Sequence, residues 1–175
     1  MPAVAEIPDL WGQDIKVDVV SPLAILRTQA ELLSQKTKGL LIGRTNSMVV
    51  GEKETAKEEV HQFEIFAPVV NYTEYIFDIR HKLKRPYPVT ITLPEPIDWP
   101  KELLPPPPKG LLQPVGGLIE TLSTTKSAAR CECRDGDVFT RALGVVLTSS
   151  AIRSVIDSLL VMSNERNLEP TAPAG

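Results

Sequence analysis

The chain has 175 residues, 42% apolar and 23% charged, with a formal net charge of −3. That composition can close a core for one domain with appendages, or for two small ones, and sets aside a wholly disordered chain. The near balance of 19 basic and 22 acidic residues sets aside a dedicated nucleic-acid binder. No apolar run approaches the ~20 residues of a bilayer span. Residues 1–10 carry two acids and no Lys or Arg, unlike the basic start of a secretory signal. Cys131 and Cys133 are too close in sequence for an unstrained disulfide and too few for a framework. A cytoplasmic protein is expected.

Residues 1–13 read as a flexible arm. Ile15, Val17 and Val19 then alternate with polar residues, as in a short strand. Ser21-Pro22 is a helix start, because serine caps free N–H groups and proline at the first helical position has none to lose. Leu23, Leu26, Ala30 and Leu33 recur at helical spacing until Gly39, so a helix is predicted over 22–38.

Four segments of β character follow: 40–50, 60–69, 73–82 and 89–93. Residues 52–59, with four Glu and two Lys, read as a solvated connection between the first two. Short connections imply antiparallel neighbours and a meander. The order of one helix and four strands over 21–93 is similar to that of cystatin-like domains, in element order alone and with no shared residue motif.

Residues 94–114 hold eight prolines and read as a spacer, with Leu104 to Pro108 in polyproline II. Beyond it, 115–123 is a possible short helix, 124–137 is polar, and two apolar stripes predict two helices. Val138, Phe139, Ala142, Leu143 and Val146 form one stripe; Ile152, Val155, Ile156, Leu159 and Leu160 form the other. Residues 165–175 read as a disordered tail. The expected fold is therefore α+β. An N-terminal helix packs on a four-stranded antiparallel meander within 14–93, the proline-rich spacer follows, and helices occupy 115–164.

Strand parity says more. His61, Phe63, Ile65 and Ala67 share one face, and Tyr75, Phe77, Ile79 and His81 another. Folding the two segments about Asn71 brings both sets onto the core face. It makes His61 and His81, the chain's only histidines, facing or diagonal neighbours within ~8 Å. They are the candidate metal ligands. Glu59 is near in sequence with its facing open, and Cys131 and Cys133 are further donors if the second half folds back. The plainer reading is a pair of polar strand ends.

No G-x-S-x-G, P-loop or H-E-x-x-H motif is present, no motif calls for a cofactor, and no catalytic residue is nominated. Gly116-Gly117 offers only a weak anion site. Arg80, Lys82 and Lys84 form a basic stripe opposite the core face, suited to an anionic partner or simply to solvent. Leu104, Pro105 and Pro108 belong to a segment that looks like a polyproline-groove ligand, with a stiff spacer as the plainer reading. The expectation is a non-enzymatic interaction or adaptor protein, with a protein partner or self-association, no membrane and no nucleic acid. The alternative is a small metal- or histidine-dependent enzyme centred on the histidine pair.

Overall fold

A computed structural model describes residues 19–53, 56–103 and 127–168. Helix α1 spans Pro22–Lys36. Ser21 Oγ accepts from the Ala24 N–H at 3.2 Å, as the Ser-Pro start requires. The helix ends at Thr37, and Lys38 and Gly39 turn the chain through positive φ. Five strands follow: β1 (Ile42–Val50), β2 (Glu58–Ala67), β3 (Tyr72–Lys82), β4 (Val89–Asp98) and β5 (Ser127–Cys133). Helices α2 (Gly136–Thr148) and α3 (Ser150–Leu168) close the described chain. The fold is α+β, and the strands form one antiparallel sheet in the order β1-β2-β3-β4-β5.

The β2–β3 turn is a 3₁₀ segment, Pro68–Val70, closed by Asn71 in the left-handed region at φ 50°. It sets Ala67 opposite Tyr72. One extra residue, Ile76, is then accommodated in a bulge where β2 passes from Phe63 to Glu64. Beyond it Phe63 faces Phe77 and His61 faces Ile79, with the two phenyl rings stacked at 5.2 Å. The bulge reverses the facing of residues before it. Phe77, Ile79 and His81 point to the core as expected. Tyr75 does not: it stands on the opposite face and donates to Asp78 at 3.3 Å.

Three expectations are corrected. The sheet has five strands, not four, and the fifth comes from a stretch that read as polar. The spacer boundary at residue 94 falls inside β4, which continues through Pro94 and Pro96 to Asp98. Trp99 and Leu103, just beyond, are buried. The tail expected from residue 165 begins as helix, since α3 runs to Leu168. The flexible arm, residues 13–18 of the short strand expected over 13–20, the 104–108 proline run, the helix at 115–123 and Gly116-Gly117 lie outside the described residues; Val19 and Val20 are described and are in no strand.

One buried cluster joins α1 (Leu26, Ala30), the inward side chains of the strands (Phe63, Ile79, Ile91, Cys131 among them) and α2 and α3. Residues on both sides of the proline-rich stretch thus share a core. No single helix among the described residues is long and apolar enough to cross a membrane.

Helix α1 lies close against β1. A Cβ on Gly43 would stand 2.6 Å from Ala30 Cα and 2.7 Å from Ala30 Cβ, and neither atom can swing aside. Gly43→Ala should therefore push α1 off the sheet and cost about 1–3 kcal/mol, the usual range for overpacking. Urea unfolding followed by circular dichroism measures it; an unchanged midpoint would show that α1 does not need this approach.

Candidate metal centre

The site follows from alternation on two strands. On β2, Glu59 and His61 are two residues apart and so point to the same face. On β3, His81 lies directly opposite Glu59 and diagonal to His61. The three side chains make a triangle at the end of the sheet where α1 begins. His61 and His81 are 4% and 7% exposed, deep enough that their ring nitrogens need partners.

Each ring has them. The two Nε2 atoms approach to 3.1 Å. His61 Nδ1 is 2.7 Å from Ser47 Oγ, on the neighbouring residue of β1. His81 Nδ1 is 3.1 Å from the Lys82 carbonyl oxygen. A carbonyl only accepts, so His81 carries its proton on Nδ1 and offers a bare lone pair at Nε2. With both rings neutral, His61 must then donate from Nε2 and accept at Nδ1 from the Ser47 hydroxyl. The hydrogen bonds run one way, from Ser47 through both rings to the Lys82 carbonyl.

The third corner is Glu59, whose Oε2 lies 3.6 Å from His81 Nε2. One ligand atom from each of Glu59, His61 and His81 falls within 4.8 Å of the others. Donors held at tetrahedral angles 2.0–2.1 Å from one zinc-sized ion are roughly 3.3 Å apart. The spacings of 3.1 and 3.6 Å lie either side of that figure, while the Glu59–His61 edge is bounded only at 4.8 Å and would close on the ion. Loading an ion asks that the Glu59 carboxylate draw towards His61 and that His61 move its proton from Nε2 to Nδ1, and the Ser47 hydroxyl can accept as readily as donate. Both rings then have an oxygen partner behind the ligating nitrogen, the arrangement that orients metal-bound histidines.

The triangle opens on a cavity of about 330 Å³, lined besides its own residues by Ser21, Leu23, Lys84, Arg85 and Pro86. Ser47 does not line it. Its hydroxyl is therefore placed to steer His61 rather than to attack a bound substrate. Larger hollows lie along α3, between β4 and the helices, and between α1 and the start of α2, and none of these is lined by a histidine or cysteine.

Burial holds the His61 pKa below its ordinary 6.5; the neighbouring His81 and the Arg27 charge push the same way, against Glu59.

The other sequence candidates lie elsewhere. Cys131 and Cys133 point into the core from β5. Val89 of β4 separates His81 from Cys133, so the thiol is two strands, about 10 Å, away and no ligand. The facing Cys131 thiol and burial push Cys133's pKa up. The basic stripe is divided. Arg80 is paired with Asp78 at 3.2 Å, Lys82 is exposed opposite Glu58, and Lys84 has left the strand for a turn at φ 68°. Lys84 thus belongs to the histidine cavity. Leu104, Pro105 and Pro108 lie outside the described residues. Glu59 and Ser47 are the site residues not assigned from sequence. The E-x-H spacing on one strand is the signal for Glu59; Ser47 depended on the β1–β2 register, which carries no sequence mark. No family model, curated protein or solved structure matches the chain.

The depressed His61 value gives a pH dependence. Above the unfolded value near 6.5 the ring is neutral in both states and contributes no slope. As pH falls below it, the unfolded chain takes up the proton first and stability drops until the folded-state value is passed. The metal-free protein should lose stability from about pH 6.5 downward, and His61→Gln should flatten that slope. Histidine-selective NMR across pH 4–8 reads the same group. A His61 midpoint at or above its ordinary value would contradict the geometry.

Proposed function

We propose that the protein binds a divalent transition-metal ion of the zinc class through Glu59, His61 and His81, and uses it to activate water for hydrolysis. The observation that carries this reading is the meeting of three ligand atoms within 4.8 Å, at the mouth of a cavity. Two imidazoles and a carboxylate suit zinc and its neighbours. Three protein ligands leave one coordination position for water, as catalytic zinc sites do, and a bound ion lowers that water's pKa towards neutrality. His61 and His81 hold the ion as neutral rings, Glu59 neutralises part of its charge, and Ser47 and the Lys82 carbonyl fix the ring orientations.

Zinc uptake by the purified full chain, followed by elemental analysis and competition with a chromogenic chelator, tests the reading. One equivalent should bind, and affinity should fall below about pH 6 as the imidazoles take up protons. His61→Ala with His81→Ala should abolish binding. Ser47→Ala should weaken it about 10–100-fold, the usual effect of removing the group behind a ligating histidine. A chain that takes up no zinc, or takes it up equally after the double substitution, would end the proposal.

The non-enzymatic interaction or adaptor reading draws on a separate observation. Strand β1 is an edge of the sheet, and Met48 and Val49 on it are 44% and 54% exposed. An edge that no described strand pairs is a template for a second copy of the chain. Sedimentation equilibrium should then show a dimer that Val49→Lys dissociates; a monomer at every concentration would remove this reading.

A further inference from the structure

The cavity beside the triangle has a charge of its own. Among its described lining residues Glu59 is the sole acid, while Lys84 and Arg85 are cations. Both are exposed, and neither makes an ion pair among the described residues. Arg27 adds a third cation whose field reaches His61. The chain as a whole is acidic, at −3, so this concentration of positive charge is local. Helix α1 also begins here, with Ser21 and Leu23 on the cavity wall, and turns its positive end to the same space. With Glu59 taken up by the ion, Lys84 and Arg85 have no counter-charge among the described lining residues.

We infer that the metal centre takes one phosphate oxygen of a phosphate-ester substrate beside its bound water, expanding to five-coordinate, with Lys84 and Arg85 holding the oxygens that the ion does not. This rests on the metal reading. A guanidinium presents paired donors that match phosphate oxygens, and a lysine supplies a point charge from a second direction. A carboxylate, with one charge, would leave most of the local positive charge unanswered; a phosphate dianion answers more of it. Leu23 and Pro86 give the remaining wall an apolar surface for the body of the ester. The proposed hydrolysis then has balanced parts. The oxygen of the metal-bound water bonds to phosphorus, the P–O bond to the alcohol breaks, and the alcohol oxygen leaves with the proton the water gives up.

The test uses the full chain loaded with Co²⁺, whose visible absorption reports on its ligands, and inorganic phosphate as probe. Phosphate should shift the Co²⁺ spectrum saturably. Lys84→Gln with Arg85→Gln should weaken phosphate at least tenfold while Co²⁺ still binds; both residues are exposed, and circular dichroism checks that the variant folds. Acetate at equal concentration should bind at least tenfold more weakly than phosphate. A loaded protein whose spectrum ignores phosphate overturns the phosphate inference alone. So does phosphate affinity that survives the double substitution, or acetate that binds as well. A chain that takes up no Co²⁺ overturns the metal centre and this inference together.

Discussion

Phe63 stacks on Phe77 across the β2–β3 ladder, 5.2 Å between ring centres and nearly parallel. That contact pins the register of the hairpin, and the site is read off from it. Two residues along β2, His61 falls opposite Ile79; two further, Glu59 falls opposite His81. A slip of one residue would send every one of these side chains to the other face of the sheet. The bulge at Ile76 matters for the same reason. It absorbs the extra residue on the turn side of the phenylalanines, so the histidine end of the ladder keeps its alternation.

Burying two imidazoles side by side is costly unless every ring nitrogen is engaged. Here the serine on β1 and the carbonyl of Lys82 complete the set, and no buried side-chain N or O among the described residues lacks a partner. The pair is therefore held by three strands and not by the hairpin alone. Helix α1 contributes from above. Gly43 lets it lie close on β1, and its first residues wall the cavity. Packing and chemistry are joined at that point, because a helix lifted off β1 would carry Ser21 and Leu23 away from the histidines.

Much of this was legible from residue pattern. Ser21-Pro22 marked the start of α1, and alternation in 61–67 and 77–81 marked the core faces. The turn at Asn71 gave the histidines as facing or diagonal, and they are diagonal. Tyr75 was misplaced because a bulge shifts parity by one and leaves no residue signature. The prolines misled for a physical reason. Proline is excluded where a ladder needs its N–H, but the pairing of β4 passes from Thr92 directly to Ile97. Pro94 and Pro96 sit in that gap, where no N–H is called for. Strand β5 was hidden by its polarity, although Arg130, Cys131, Glu132 and Cys133 alternate outward and inward as a strand with one wet face should.

The one-way hydrogen-bond chain has a consequence for how an ion would enter. Without metal, His61 holds its proton towards His81; with an ion bound, the same ring would hold it towards Ser47. With both rings neutral, the ligands would exchange a tautomer and release no proton to solvent. The heat of ion binding to the neutral rings should thus owe nothing to the buffer's ionisation enthalpy, apart from any proton lost by a metal-bound water itself. Calorimetry in two buffers of different enthalpy would then count the protons given up by a metal-bound water directly, with no background from the proposed ligands.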